Sequence, residues 1–292
     1  GRSYPDLLKL NRGEITHFPD AVIYPKTSEE IAQILSLCSD AKFAVIPFGG
    51  GSSVVGGVEA SSGGLKGVIT LDTTRLDQVQ KIDPVSRTAT VQAGIYGPNL
   101  EEALNKVGFT LGHYPQSFEF STLGGWIAAR GAGQQSNRYG HVGEFLLSAE
   151  MITPSGTFKT NPFPASAAGP NLNEIIAGSE GVLGIITEAT VALHPMPEKG
   201  AARAYIMPSW KAGLEAVRKL VHEKTGASMV RLSDYPETYF FSKFRSLGRK
   251  AGITSWFSRL FKRILSLDEP CVLLVGTEGT RTEVKKALRS SS

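Results

Sequence analysis

Three glycines and two serines in the segment Pro47–Ser53 are the residues of this chain best suited to hold a phosphorylated ligand. Consecutive glycines permit backbone conformations that side chains forbid and let the main chain approach a ligand closely. Their successive amide N–H groups can form a concave anion site, to which the hydroxyls of Ser52 and Ser53 add donors. The G-x-G-x-x-G fingerprint and the Gly-Lys-Ser/Thr of a P-loop are both missing. The segment therefore indicates a diphosphate-binding loop of another kind, with a plain flexible turn as the alternative.

Two later segments are also rich in glycine. In Pro115–Trp126 small hydroxyl residues precede Gly124-Gly125, and a short apolar run then leads to residues 130–133. In Gly178–Thr190 three glycines stand three positions apart, at 178, 181 and 184, which would bring the backbone close to a flat ligand. Either segment alone would be an ordinary loop.

The elements that must position these segments indicate an α+β protein. Residues 1–20 are loop-like, a buried strand at Ala44–Pro47 runs into the first glycine segment, and Thr27 starts a helix. Other predicted elements of this part are a helix at Gly97–Val107, a hairpin arm at Leu146–Thr153 and strands at Ala21–Tyr24, Val68–Leu71, Gln78–Ile82 and Thr88–Gln92. Their irregular mixture with helices argues against a doubly wound sheet.

A boundary is predicted at the proline-marked stretch of residues 194–200, which divides the chain into domains 1–197 and 198–292. The second domain has the pattern of a sheet with helices and looks cut short at its end. Its predicted elements are strands at Ala202–Met207, Ser228–Leu232 and Cys271–Gly276, a helix at Ser209–Lys224 and a final helix.

Composition and charge are those of a globular protein with two unlike parts. Hydrophobic residues make up 41% and charged residues 20% of the 292. No apolar stretch reaches the roughly 20 residues of a membrane span, and we expect no signal peptide. Residues 199–263 hold 14 Lys and Arg against 4 Asp and Glu, which favours an anionic substrate or surface. Cys38 and Cys271 lie among apolar residues, so we expect two buried free thiols.

In their order and spacing, the three glycine segments resemble the FAD-binding domain of the vanillyl-alcohol oxidase and p-cresol methylhydroxylase flavoproteins. Within that superfamily the sequence motifs most resemble those of the alkylglycerone-phosphate synthases, also called alkyldihydroxyacetonephosphate synthases. The resemblance rests on Ile46–Ser53, on Ser117–Trp126 and on Gly178–Thr190, and continues at residues 230–234. It implies an FAD domain of two α+β subdomains followed by part of a substrate (cap) domain. Because no histidine lies near Gly49–Ser53, it implies non-covalent FAD.

The resemblance also implies the residues that bind the cofactor. They are Pro47, Phe48, Gly49, Gly50, Gly51, Ser52, Ser53, Gln116, Ser117, Phe118, Glu119, Phe120, Ser121, Thr122, Gly124, Gly125, Ala129, Arg130, Gly131, Ala132, Glu180, Gly181, Val182, Leu183, Gly184, Ile185 and Ile186. Gln116 stands where the family has an aspartate, which changes one polar contact. Arg231 matches a family arginine at the substrate end, where a permanently charged fork suits a phosphate or carboxylate. A surface arginine paired with Asp234 is the alternative for that residue.

The implied reaction exchanges the acyl group of acyl-dihydroxyacetone phosphate for a long-chain alcohol, with no net redox change. The tyrosine and clustered histidines that serve this family as acid and base lie beyond Ser292. We therefore assign no catalytic residue and no metal ligand, and expect the chain to be catalytically incomplete.

A basic amphipathic stretch, Ile253–Leu267, could lie in a membrane interface, where lipid substrates are found. The more common role of such a helix is to pack its apolar face on its own domain. We expect a small-molecule lipid-phosphate or hydroxy-acid substrate and no nucleic acid, and leave a homodimer open. The expected location is cytoplasmic or at a membrane surface, and peroxisomal if the source is eukaryotic.

Three other function classes compete with this interpretation. An FAD-dependent 2-hydroxy-acid dehydrogenase of the D-lactate type shares the FAD domain and differs in the cap. A serine hydrolase is suggested by Gly178-Ser179-Glu180-Gly181, but a nucleophile elbow requires a strand before its serine and a helix after it. Here the order is reversed. A non-enzymatic flavin-binding remnant, or a nucleic-acid binder using the basic part, is the last alternative.

Overall fold

The computed structural model describes residues 3–15, 17–163, 166–247 and 269–290. Its backbone divides into two compact units, residues 1–134 with 139–196, and residues 135–138 with 197–292. The basic stretch at residues 253–267 lies outside the described residues, so its membrane contact stays a prediction. Among the described helices, none is long and apolar enough to cross a membrane.

The first 196 residues contain seven α-helices and ten strands among the described residues. In chain order they are α1 (Tyr4–Asn11), β1 (Ala21–Ile23), α2 (Ser28–Ala41), β2 (Phe43–Phe48), β3 (Gly67–Asp72), β4 (Val79–Asp83), β5 (Thr88–Gln92), α3 (Gly97–Asn105), β6 (Phe109–Thr110), α4 (Leu123–Ala128), α5 (Ser136–Tyr139), α6 (Val142–Phe145), β7 (Leu146–Thr153), β8 (Gly156–Lys159), α7 (Asn173–Ile176), β9 (Ile185–Ala192) and β10 (His194–Pro195). A short 3-10 helix, Phe118–Phe120, precedes α4.

Two sheets build the first unit. A small parallel sheet has the order β1-β3-β2, and a larger antiparallel sheet has the order β4-β5-β9-β7-β8. The two short strands β6 and β10 pair with each other. The unit is therefore α+β with a parallel and an antiparallel part, as the sequence predicts.

Two apolar clusters hold these sheets to their helices. The larger one joins the antiparallel sheet to α3, α4 and α6 through fully buried side chains such as Leu100, Ile127 and Val191. The smaller one joins α2 to both sheets through Ile31, Leu71 and Ile185. Full burial of one such side chain stabilises the fold by about 1.5–3 kcal/mol.

Local signals explain where the main helices begin. Thr27 caps α2 by accepting a hydrogen bond from the amide of Glu30 (3.2 Å). The prediction of loop-like residues at the start of the chain was wrong for α1. Ser3 and Asp6 form a reciprocal capping box there, and Pro5 occupies the first turn. None of the α1 residues is buried, and the prediction overlooked the capping signals that start this helix.

The second unit is a three-stranded antiparallel sheet with three described helices. Its elements are β11 (Lys199–Met207), α8 (Trp210–His222), β12 (Met229–Ser233), α9 (Tyr235–Leu247), β13 (Cys271–Gly279) and α10 (Arg281–Ser290). The sheet order is β11-β13-β12, so the last strand lies in the centre. Cys271 and Cys38 are both free and buried, as predicted.

Candidate functional site

A cleft of about 410 Å³ opens in the first unit where the parallel strands β2 and β3 end. The first glycine segment continues from β2, and Thr73 follows β3. Because the two strands are parallel neighbours, their carboxyl ends meet at one edge of the sheet, where α/β folds commonly bind ligands. Residues from all three glycine segments line this cleft.

The first segment packs so closely against its neighbours that its three glycine positions leave no room for a Cβ atom. A Cβ atom on Gly50 would collide with the carbonyl oxygen of Phe120, and one on Gly49 would collide with the hydroxyl of Thr122. Gly51 has a φ of +67°, in the left-handed region. Within the described residues, the amides of residues 50–53 donate no hydrogen bond. Gly50 and Gly51 are buried, so their N–H groups need an acceptor that a bound anion could supply.

The second segment enters α4 through a capping threonine. Thr122 Oγ1 accepts a hydrogen bond from the amide of Gly125 (3.3 Å), which turns the backbone out of the 3-10 helix. Both Gly124 and Gly125 line the cleft, so the first turn of α4 forms part of its wall. Ser117 and Ser121 line the same wall.

The third segment contacts both others. The amides of Gly178 and Glu180 donate to the carbonyl oxygens of Ile127 and Ala128, each at 2.9 Å. Gly181 faces the first segment, where a Cβ atom would lie 2.9 Å from Cγ of Pro47. Three stretches far apart in sequence therefore meet pairwise around one cleft.

Most of the residues expected to bind a cofactor lie on this cleft. They are Pro47, Phe48, Gly49, Gly50, Gly51, Ser52, Ser53, Ser117, Ser121, Thr122, Gly124, Gly125, Ala129, Gly131, Glu180, Gly181, Gly184, Ile185 and Ile186.

Eight expected residues do not line it, and their contact with a cofactor stays a prediction. They are Gln116, Phe118, Glu119, Phe120, Arg130, Ala132, Val182 and Leu183. The ring of Phe118 packs against the core, and the side chain of Arg130 forms an ion pair with Glu174. Val182 is 85% exposed at a turn. Consecutive positions in a motif point in different directions, so only some positions of each segment face the cleft.

The sequence assignment also missed lining residues. They are Val54, Val55, Gly57, Val58, Thr73, Pro115, Trp126 and Ala128. Thr73 could have been found from the strand prediction, because it directly follows β3, the strand next to β2. Pro115 and Trp126 are the two ends of the second segment, and the others extend the predicted segments by a few positions.

The lining of the cleft carries no lysine, arginine or histidine in the part of the chain that the structure describes. Its one ionisable side chain is Glu180. A bound diphosphate would therefore be held by amide and hydroxyl dipoles and not by charge pairing.

His113 lies behind this wall without a polar partner. It is 1% exposed, and neither ring nitrogen has a hydrogen-bond partner in the described structure. Burial lowers the pKa of His113 to about 4, so the imidazole is neutral at physiological pH. No described group of three or more His, Cys, Asp or Glu side chains could hold a metal ion.

Arg231 belongs to the second unit, on β12. Its guanidinium is half exposed and pairs with Glu237, so the alternative partner Asp234 was wrong. Asp234 instead accepts a hydrogen bond from the amide of Glu237 (2.9 Å). Hydrogen bonding to Ser233 and the contact with Arg231 hold the pKa of Glu237 below its ordinary value.

The structure does not support the serine hydrolase alternative. Ser179 Oγ is buried and has no hydrogen-bond partner among the described residues, so no base activates it. The helix α7 precedes this serine and the strand β9 follows it, the reverse of a nucleophile elbow.

Comparison with known proteins agrees with this geometry. Residues 19–161 match the model of a family described as an FAD binding domain. The alkyldihydroxyacetonephosphate synthase of Trypanosoma brucei brucei is 34% identical over 290 residues, which cover 97% of this chain and 47% of that protein. A solved structure of an alkyldihydroxyacetonephosphate synthase superposes with a TM-score of 0.87 at 33% identity, covering 100% of this chain and 54% of its own.

A shorter match extends to an oxidoreductase. The mitochondrial D-lactate dehydrogenase (cytochrome) 1 of Saccharomyces cerevisiae is 37% identical over 183 residues, 62% of this chain and 30% of that enzyme. The chain spans about half the length of the synthases it matches. FAD is the cofactor of the matched domain, and the glycine cradle at residues 49–51 fits its diphosphate. Residues 19–161 therefore form an FAD-binding domain of this family, and over nearly its whole length the chain is similar to the alkyldihydroxyacetonephosphate synthases.

Proposed function

We propose that the cleft binds FAD non-covalently, with the diphosphate on the amides of residues 50–53. The observation that carries the proposal is the set of unpartnered amides in a backbone whose glycine positions leave no room for a Cβ atom. Anions bound by several oriented N–H groups need no cationic side chain. A covalent link through histidine finds no support, because no histidine lines the described cleft.

We further propose that the chain is part of an alkylglycerone-phosphate synthase, an enzyme that would exchange acyl for alkyl on dihydroxyacetone phosphate. Similarity over 97% of the chain supports this activity. FAD, when bound, would supply an electron-accepting ring system for an exchange without net redox change. The first unit would hold and orient that group, since the three mutually packed segments leave its cradle little freedom to move.

Arg231 would bind the phosphate of the substrate. Its guanidinium is half exposed and already contacts a carboxylate, so a phosphate could replace Glu237 and accept two hydrogen bonds from the guanidinium. A cytoplasmic or membrane-surface location, peroxisomal in a eukaryote, belongs to the same proposal, as does a homodimer.

The visible spectrum of the purified chain tests cofactor binding. We expect a yellow protein whose flavin is released into the supernatant by acid precipitation, as a non-covalent cofactor must be. Flavin that stays with the precipitate would overturn the non-covalent assignment. Colourless folded protein that neither quenches added FAD fluorescence nor gains thermal stability from FAD would overturn the binding proposal itself.

The match to a D-lactate dehydrogenase keeps one alternative, an FAD-dependent 2-hydroxy-acid dehydrogenase. Anaerobic addition of D-lactate separates the two. Bleaching of the bound flavin would favour the dehydrogenase, because the synthase reaction has no net redox change.

A further inference from the structure

Trp126 forms part of the wall of the cleft, and several neighbouring side chains fix its orientation. It lines the cleft although its side chain is only 4% exposed. Its ring system stacks near Phe118, with centroids 6.2 Å apart, and meets the edge of His113 at 4.8 Å. Aromatic contacts of this kind restrict a buried ring to one orientation.

Ser121 fixes the polar end of the same indole. The N–H of Trp126 donates to Ser121 Oγ at 2.7 Å. Ser121 Oγ in turn donates to the carbonyl oxygen of Ser117 (2.8 Å) and accepts from the hydroxyl of Ser117 (3.1 Å). A serine hydroxyl has one proton and two lone pairs, so all three of its positions are occupied. The hydroxyl of Ser121 therefore has no hydrogen-bonding capacity left for a ligand.

Thr122, the next residue, is different. Its Oγ1 accepts from the amide of Gly125, and its hydroxyl proton is donated to no other residue in the described ranges. Both residues line the cleft. The adjacent hydroxyls thus divide into one that is saturated by the protein and one that keeps its proton for a ligand.

We propose that Trp126 is a positioning residue of the cofactor cleft and that Ser121 acts on the bound nucleotide only by holding the indole, while Thr122 donates to it directly. This rests on the proposed binding of FAD. The geometry that carries it is the saturated hydroxyl between the indole and the Ser117 backbone.

A double-mutant cycle on the full chain tests the division. FAD affinity is measured by fluorescence quenching for the wild type, Ser121→Ala, Trp126→Phe and the double variant. Each single change should weaken binding about 5- to 10-fold, because an aligned indole hydrogen bond is lost. In the Trp126→Phe background, Ser121→Ala should weaken FAD binding by less than about 2-fold, because the indole that the Ser121 hydroxyl would hold is no longer present.

A matched cycle pairs Ser52→Ala with Trp126→Phe. Ser52 lines the cleft in the first segment and is expected to contact the diphosphate directly, so its effect should be the same in both backgrounds. The visible circular dichroism of saturated samples gives a second measurement. It should change in Ser121→Ala and Trp126→Phe, because the asymmetry around the flavin changes.

The outcomes are separable. No FAD binding by the wild type would refute the proposed function. Wild-type binding with a Ser121→Ala effect that persists in the Trp126→Phe background would make Ser121 a direct ligand and overturn this inference. Affinities within 2-fold across all four proteins would overturn it too. Far-ultraviolet circular dichroism shows whether Ser121→Ala folds. If it does not, the Trp126→Phe variant alone tests the inference. Unchanged FAD affinity and unchanged flavin dichroism in Trp126→Phe would refute the role of the indole.

Discussion

Substitution of Gly50 by alanine gives the sharpest test of the cradle. The added Cβ would collide with the carbonyl oxygen of Phe120 and lie 2.6 Å from its carbonyl carbon and 2.7 Å from Cα of Ser121. Non-bonded carbon atoms prefer about 3.5–4.0 Å, so the two segments must separate by about 1 Å. A hydrogen bond of ordinary length does not survive such a displacement.

The loss in affinity follows from that displacement. One amide-to-phosphate hydrogen bond contributes about 1.5–3 kcal/mol, because the acceptor is charged. Losing one should weaken FAD binding by about 10- to 150-fold. Flavin fluorescence titration of the cofactor-free protein measures this directly.

A control separates the clash from a general effect of alanine. Gly200 has no positive φ, and its Cβ would meet no atom closer than 3.9 Å, so Gly200→Ala should bind FAD as the wild type does. Thermal unfolding without FAD shows whether each variant is folded. If folded Gly50→Ala bound FAD within 2-fold of the wild type, the cradle would not be where we place it.

Three further predictions concern buried groups. Because burial lowers the pKa of His113 to about 4, the unfolded state takes up its proton first as the pH falls below about 6.5. Urea unfolding at pH 7 and pH 5 should therefore show about 2 kcal/mol less stability at pH 5 from this residue, and His113→Leu should lack that part of the pH dependence. Glu101 is buried and accepts hydrogen bonds from Thr110 and from two amides at 3.0 Å, so Glu101→Gln should cost about 2–3 kcal/mol in unfolding free energy. The neighbouring exposed carboxylate in Glu102→Gln should cost under about 1 kcal/mol, and equal losses would refute the buried network. Ser179→Ala should not lower the melting temperature, because it removes a buried hydroxyl without a partner; a clear decrease would reveal a hidden contact.

Local chemistry made much of the fold predictable. The cap at Thr27, the apolar periodicity of α2 and the hairpin of β7 and β8 are all encoded within a few residues. The prediction was less accurate where contacts with residues far along the chain determine the end of an element. The strand predicted from Ala202 begins at Lys199, because it pairs with β13 along nine positions. The helix predicted to reach Val107 ends at Asn105, before Gly108 with its φ of +84°.

The candidate site shows the same division. Gly49–Gly51 could be recognised from their type and spacing, since three consecutive glycines are uncommon in a packed strand end. Trp126 could not, because an apolar residue in a short helix is ordinarily core, and here it is both core and wall. The fit of Gly50 against the Phe120 carbonyl is likewise a long-range contact that no local pattern contains.

The central place of β9 in the antiparallel sheet has a consequence for how the protein is made. That strand begins at Ile185, and without it β5 and β7 have no common neighbour. A nascent chain on the ribosome can therefore fold the small parallel sheet early, but the cleft, which Ile185 and Ile186 line, is complete only after β9 has left the exit tunnel. Flavin capture must therefore follow the synthesis of β9.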